Sequence, residues 1–252
     1  HRELWGNIWP VFGKKTLEEI KAIVRKRLEG NQLDKSFFKD KAVIDLGCGG
    51  GRFSFVAHDL GAKKVLGIDF NEKNIKSAKQ WVSEYGLSNI DFRVGSVYET
   101  GEPNASYDVA ISNGVFHHLE NPQAAYNESV RVLRDGGKMF LYVEAKGGII
   151  NELQEVIVNN IGHIPQANVF EILTRLDFSD HSRIYLMDYF FAHYEYVSTE
   201  EIHKRLRLEG YTHIEELKGE GMDYDHGYAQ RMREPWNKEK YGEGQLRLIV
   251  SK

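Results

Sequence analysis

An α/β domain with a doubly wound parallel sheet is the fold class this sequence predicts, on three observations. From Lys41 onward, short apolar runs alternate with stretches of helical period, the pattern of repeated strand and helix units with helices on both faces of one sheet. The run Val43-Ile44-Asp45-Leu46 opens into Gly47-Cys48-Gly49-Gly50-Gly51, so a buried strand ends in a loop with few side chains to block a ligand. A second run, Val65-Leu66-Gly67-Ile68, stops at Asp69 and sets an acid at the tip of the next strand. Ligands of such sheets bind outside the carboxyl ends of the strands, and this layout suits a nucleoside.

The elements follow in order. Residues 1–40 form an aromatic segment and a cap helix: Trp5, Trp9 and Phe12 precede the capping box Thr16-Leu17-Glu18-Glu19, after which Leu17, Ile20, Val24 and Leu28 recur at helical spacing. Strands are predicted near 42–46, 64–68, 90–94, 107–112 and 138–143, with helices between them. After Glu144 the alternation breaks. Residues 148–176 read as two helices, with Ile149, Ile150, Leu153, Val156 and Ile157 on one apolar face and Val169, Phe170, Leu173 and Leu176 on the other. An aromatic stretch from Tyr185 to Tyr196 follows, and a second capping box, Ser198-Thr199-Glu200-Glu201, restarts the core pattern. A helix, a strand near Tyr211–Leu217 and a last strand near Leu246–Val250 complete it, so 41–252 reads as one domain.

Spacing around the glycine loop narrows the ligand. In a dinucleotide fingerprint the third glycine lets the following helix pack closely while facing a pyrophosphate; here that position is Arg52, and the glycines fall at 47, 49, 50 and 51. Asp45, inside the strand end, would repel a pyrophosphate but could hold a cationic amino group.

These residues resemble the class I S-adenosylmethionine-dependent methyltransferases. The family's first motif, acidic-x-Gly-x-Gly-x-Gly, is matched by Asp45, Gly47, Gly49 and Gly51, and its second, an acid ending the next strand, by Asp69. The resemblance continues through Asp91–Val97, Tyr107–Leu119 and Leu133–Gly137, five motifs in order across roughly residues 41–143. It implies a Rossmann-like seven-stranded sheet with the last strand antiparallel, and S-adenosyl-L-methionine as cofactor with S-adenosyl-L-homocysteine as product. It also implies a cofactor site drawn from Asp45, Gly47, Cys48, Gly49, Gly51, Asp69, Phe70, Ser96, Val97, Asn113 and His118. Many relatives place an acid for the adenine amino group where this chain has Ser96, whose hydroxyl can accept the same bond more weakly. Under the family topology, the insertions 144–197 and 218–245 leave and re-enter at the carboxyl edge and form a helical, aromatic lid over the methyl group. The N-terminal aromatics either close over the cofactor, as in relatives, or cover a sheet edge.

Composition limits the partners. A formal net charge of −4 argues against a dedicated nucleic-acid binder. No apolar stretch approaches a membrane span and no signal-peptide pattern opens the chain, so a cytoplasmic protein is expected, with a homodimer left open. The single cysteine, Cys48, excludes an internal disulfide framework and reads as a small residue tolerated in the loop.

Methyl transfer from a sulfonium is an in-line displacement in which the protein orients the acceptor and, where needed, removes its proton. Catalytic candidates are His117, His193 and Tyr189. His117-His118 either supplies a general base or forms a structural element beneath the cofactor. Tyr189, His193 and Tyr194, with His181 and Asp188 nearby, either form an acceptor pocket or a lid core. The stretch Asn113-Gly114-Val115-Phe116 lacks the Pro-Pro-aromatic signature of relatives acting on exocyclic or amide nitrogens. The loop Met222–Tyr228 carries the metal-capable Asp223, Asp225 and His226 without a recognisable ligand spacing, and no metal is expected. The resulting expectation is transfer to an oxygen or nitrogen of a small-molecule or saccharide-like acceptor. The alternatives are a protein or RNA methyltransferase and a noncatalytic cofactor-binding partner subunit.

Overall fold

The computed structural model describes residues 14–31, 33–217 and 236–252. Its strands are β1 (Ala42–Leu46), β2 (Lys64–Asp69), β3 (Ile90–Val94), β4 (Tyr107–Asn113), β5 (Leu133–Glu144), β6 (His213–Glu216) and β7 (Gln245–Ser251). They form one sheet in the order β3-β2-β1-β4-β5-β7-β6. Pairing is parallel from β3 through β5, and β7 runs antiparallel to both β5 and β6. Between β1 and β4 the strand order reverses, which leaves a crevice at the carboxyl edge.

Helices α1 (Lys14–Gly30), α2 (Lys35–Phe38), α3 (Arg52–Asp59) and α4 (Glu72–Tyr85) bury Leu17, Val24, Leu28, Phe55, Val56 and Ile75 against one face, together with Val43 and Val65. The opposite face packs Ile44, Leu46 and Leu66 against α5 (Pro122–Val132) and α9 (Thr199–Leu208), through Tyr126, Ile202 and Leu206. Successive residues of β1 thus serve opposite layers, as a two-sided strand requires.

Two local expectations need correction. Helix α1 already runs through Thr16, because Lys14 and Lys15 extend it toward the N-terminus, so the first capping box does not start it. Strand β5 begins at Leu133, five residues before the predicted start: Tyr107 pairs with Leu133 and Val109 with Lys138, and the intervening residues bulge out. Gly136 takes φ 73° in that bulge, while Arg134 Nη1 lies 2.8 Å from Asp108 Oδ1. The second capping box is present: Ser198 Oγ accepts from the Glu201 amide and Glu201 Oε2 from the Ser198 amide.

After β5 come three helices, α6 (Ile149–Ile161), α7 (Gln166–Arg175) and α8 (Asp180–Phe191), with their own small core of Leu173, Met187 and Ala192. Most of the aromatic stretch is therefore helical. Its chain returns beside its point of departure, where Ala145 bridges Val197 and the Lys146 amide donates to Val197 O at 2.9 Å. The expected apolar face of α6 is not buried, since Ile149, Leu153 and Val156 are all exposed. The helix turns Gln154 inward instead, and Gln154 Nε2 donates to the carbonyls of Tyr189 and Ala192 at 3.2 Å each. Helix α10 (Asn237–Tyr241) packs on α6 and leads into β7, whose Gln245 pairs with Glu144 at the carboxyl end of β5. The 218–245 connection thus re-enters at that edge, and its Met222–Tyr228 loop, like Trp5, Trp9 and Phe12, lies outside the described residues. Among the described residues no helix is long and apolar enough to cross a membrane.

Candidate active site

A cavity of about 660 Å³ occupies the crevice at the carboxyl edge, a volume suited to a cofactor-sized ligand. Four strand-end segments line it. They are Asp45 with Gly47–Gly50 after β1, Asp69 and Phe70 after β2, Val94–Tyr98 after β3, and Asn113–Val115 with His118–Glu120 after β4. Arg52 and Phe53 of α3, and Glu72 and Asn74 of α4, complete the wall.

Glycine permits the close approach at the loop's start. Gly47 takes φ +80°, and a Cβ there would meet Val115 at 2.6 Å. The Gly47 and Cys48 amides donate to Ile68 O at 2.8 and 3.0 Å, which ties the loop to β2. Asp69 holds it from the other side: Oδ2 accepts from the Gly49 amide at 2.9 Å, and Oδ1 from the Asn71 amide at 2.9 Å and Asn74 Nδ2 at 3.3 Å. Burial pushes the Asp69 carboxyl above its ordinary value against those bonds. Asp45 is 2% exposed and accepts from Ser54 Oγ at 2.6 Å; burial raises it to about 6. Burial also pushes the Cys48 thiol well up, so it is no ready nucleophile.

Of the expected cofactor residues, the cavity wall contains Asp45, Gly47, Cys48, Gly49, Asp69, Phe70, Ser96, Val97, Asn113 and His118. Gly51 is outside it. With φ +87° at the start of α3, Gly51 is a packing position, where a Cβ would lie 2.5 Å from Phe92 Cζ. Ser96 Oγ accepts from the Tyr98 amide at 3.1 Å.

The catalytic candidates are placed elsewhere. His117 is 4% exposed, outside the lining, and its ring nitrogens are committed. Nδ1 accepts from the Glu144 amide at 3.0 Å, so the neutral ring carries its proton on Nε2, 3.0 Å from His118 Nε2. His118 Nδ1 lies 2.7 Å from the His193 carbonyl and must donate to it, which leaves His118 Nε2 to accept from His117. Both rings are thereby fixed neutral, in keeping with burial that lowers His117 well below its ordinary value and His118 to about 4. The pair links β5, the turn at Phe116–His118 and the chain after α8; the general-base reading of His117 fails on this geometry. His193 contributes that carbonyl, with an exposed side chain outside the lining. Tyr189 donates its hydroxyl to Ile150 O at 2.8 Å and joins α8 to α6. Among the described residues none of 144–197 lines the cavity, and the helical insertion stands beside the described wall.

Residues beyond those expected to bind the cofactor or act in catalysis stand out here. Arg52 lines the cavity, and burial lowers it to about 10. Asn74 lies one helical turn past the Asn71 cap, a spacing that could have flagged it. Glu144, ending β5 as Asp69 ends β2, accepts from Tyr142 Oη and from Gln245 Nε2 at 2.9 Å; burial raises its carboxyl. Asp188 of α8 lies 3.9 Å from His118 Nε2 through Oδ1, and Tyr194 bonds its carboxylate.

The wall fits the family's cofactor on an observation of unmet polarity. The side-chain oxygens of Asn74 and Asn113 are buried, belong to residues lining the cavity and have no hydrogen-bond partner among the described residues, an unmet polarity that a bound ligand's donors would satisfy. Two carboxylates at adjacent strand tips suit an ammonium and a pair of hydroxyls.

Comparison with known proteins agrees. Residues 37–175 match the family model described as a methyltransferase domain. A ubiquinone biosynthesis O-methyltransferase of Parvibaculum lavamentivorans is 36% identical over 104 residues, 41% of this chain and 40% of that protein. An arsenite methyltransferase of Mus musculus is 29% identical over 143 residues, 52% of this chain and 38% of that one. The matched stretch thus spans about two fifths of the length of these curated relatives. An S-adenosylmethionine-dependent methyltransferase of Mesorhizobium loti shares the fold with TM-score 0.54 and 18% identity, covering 85% of this chain and 92% of its own. One from Thermotoga maritima does so with TM-score 0.56 and 17% identity, covering 98% and 99%. With the motif order, the strand order and the matched domain in agreement, the chain belongs to the class I S-adenosylmethionine-dependent methyltransferase family.

Proposed function

We propose that this chain transfers a methyl group from S-adenosylmethionine to an oxygen or nitrogen of a small-molecule acceptor, leaving S-adenosylhomocysteine. The observation that carries the reading is the pair of buried acids, Asp45 and Asp69, on either side of the glycine loop at the reversal of strand order. A pyrophosphate would meet negative charge there, whereas an amino acid joined to a nucleoside meets an acid at each end. In this reading Asp45 holds the ammonium group, Asp69 accepts the ribose hydroxyls and Ser96 the adenine amino group. When bound, the cofactor supplies an electrophilic methyl carbon. The chain's part is to orient the acceptor and to keep water from the reacting centre.

Oxygen is the acceptor atom we favour, because the similar bacterial proteins are named O-methyltransferases. A small acceptor accords with the net charge of −4, which gives a nucleic acid little attraction. Calorimetric titration of the full chain with S-adenosylmethionine, S-adenosylhomocysteine and NAD tests the reading. Micromolar binding of the first two alone supports it; binding of NAD, or of none of the three, overturns it.

A further inference from the structure

We infer that Asn74 is a cofactor-binding residue that shares the ribose with Asp69: the carboxylate takes one of the two vicinal hydroxyls and the Asn74 side-chain oxygen takes the other. The inference rests on the methyltransferase reading above, and it divides between two residues a role given there to Asp69 alone.

Counting acceptor sites at Asp69 leads to it. An ionised carboxylate offers about four lone-pair sites on its two oxygens. Three are filled from within the chain: Oδ1 receives the Asn71 amide at 2.9 Å and Asn74 Nδ2 at 3.3 Å, and Oδ2 receives the Gly49 amide at 2.9 Å. A ribose brings O–H donors on adjacent carbons. The site left on Oδ2 serves one of them, so the other needs an acceptor beside the carboxylate.

Asn74 supplies that acceptor. The residue is 1% exposed and lines the cavity wall with Asp69, Gly49 and Phe70. Its Oδ1 is buried and has no hydrogen-bond partner among the described residues. Asp69 settles the orientation of the amide, because turning it over would press Oδ1 against a carboxylate oxygen in place of Nδ2. Nδ2 and Oδ1 share one carbon, so the unfilled acceptor stands next to the carboxylate. The first turn of α4 has no donor to give it: the Lys73 and Asn74 amides both go to Asn71 Oδ1, and the Ile75 amide goes to Asn71 O. A ligand hydroxyl is the kind of group that completes such a pair.

Other polar groups of the wall do not suit a vicinal diol. Asn113 Oδ1 is also buried and unpartnered, but Asn113 ends β4, two strands away from Asp69 in the order β2-β1-β4. Glu72 lines the cavity as an exposed residue of the same helix as Asn74, and residues two apart on a helix do not share a face.

The division makes the two hydroxyls unequal. One meets a charged carboxylate and the other a neutral amide, and a hydrogen bond to the charged group is the stronger.

Calorimetric titration at pH 8 of the full chain and of its Asn74→Leu variant tests the inference, with S-adenosylhomocysteine and its 2′-deoxy and 3′-deoxy forms as probes. Leucine is close to asparagine in shape, covers the lone pair that Nδ2 releases and has no acceptor of its own. In the unaltered chain, loss of one hydroxyl should weaken binding at least about 10-fold and loss of the other about 3- to 10-fold. In Asn74→Leu, the preference for S-adenosylhomocysteine over the second of these deoxy forms should shrink to within about twofold, while the preference over the first persists. Equal losses for the two deoxy forms in the unaltered chain would overturn the inference, whether or not the variant folds. So would a variant that weakens all three probes by one factor, which marks Asn74 as structural, or one that erases both preferences, which marks displacement of Asp69 itself. Those outcomes leave the methyltransferase reading standing; failure of the unaltered chain to bind S-adenosylhomocysteine would sink both.

Discussion

Asp45 and Asp69 carry the two carboxylates on which the cofactor reading turns, and their burial makes each a measurable titration. An ammonium is held by the ionised form of Asp45, whose carboxyl sits at about 6 without ligand. Binding below that value must first remove a proton, so S-adenosylhomocysteine should bind about tenfold more weakly at pH 5 than at pH 7.5, one pKa unit being about 1.4 kcal/mol. Calorimetry across that range checks it, and Asp45→Asn should bind weakly with no such slope. Asp69→Ala removes the acceptor of the Gly49 and Asn71 amides as well as that of the ribose. At about 1.5–3 kcal/mol for each hydrogen bond to a charged group, affinity should drop about 100-fold or more. Near-normal binding by that variant would move the nucleoside away from β2. At this scale the sequence was informative wherever backbone dictated the residue, as at Gly47 and Asp69. It was silent on His117, whose neighbours in space, Glu144 and His118, settle its tautomer.

Elements were legible in proportion to how local their causes are. The core strands end in acids or glycines that a reader can see, and the box at Ser198 is a four-residue signal that starts α9. Ser198→Ala should therefore cost about 1 kcal/mol in urea unfolding. The start of β5 was missed because its first pair, Tyr107 with Leu133, is separated from the rest by a bulge at Gly136 that interrupts the alternation. The apolar stripe of α6 is legible from its spacing, but the spacing does not say which side the helix buries. What the helix buries is Gln154, chosen by two carbonyls that close the end of α8, and no periodicity rule anticipates that. Gly51 shows the same limit from the other side. Its place in the glycine motif suggested the cofactor, whereas its φ of +87° and the Phe92 ring beside it make it a joint between loop and α3. Gly51→Ala should cost about 2–4 kcal/mol, combining left-handed strain with overpacking. Cofactor affinity of the folded fraction should change little. A loss below about 1 kcal/mol would mean that Phe92 swings aside freely.

Over the whole molecule, the buried ionisable groups pull stability in opposite directions, and the pH window of each follows from the sign of its shift. Asp45, Asp69, Glu144 and Asp188 are all raised by burial, so the folded chain holds their protons more tightly than the unfolded one. Their contribution is greatest at low pH and is lost as pH rises through each folded value. His117 and His118 are lowered by burial, so they cost stability below about 6.5, where the unfolded rings bind protons and the folded rings do not. Between pH 5 and 6.5 the two sets offset each other, which should leave the melting temperature nearly level. Above pH 6.5 the histidines no longer titrate in either state, while Asp188, at about 7, still does. Its ionisation should lower stability by about 1 kcal/mol toward pH 8, roughly 2–4 °C in melting temperature for a chain of this length. Below pH 4.5 the trend reverses: burial pushes Glu128 upward, but its bonds from Arg131 and Thr100 outweigh this, and protonation forfeits them. Saturating S-adenosylhomocysteine should raise the melting temperature more at pH 7.5 than at pH 5, because Asp45 is ionised and able to hold an ammonium only in the first case. Calorimetric scans at pH 4, 5.5, 6.5 and 8, with and without that ligand, measure the whole curve. An equal ligand shift at pH 5 and 7.5 would show that the ammonium is held by something other than Asp45.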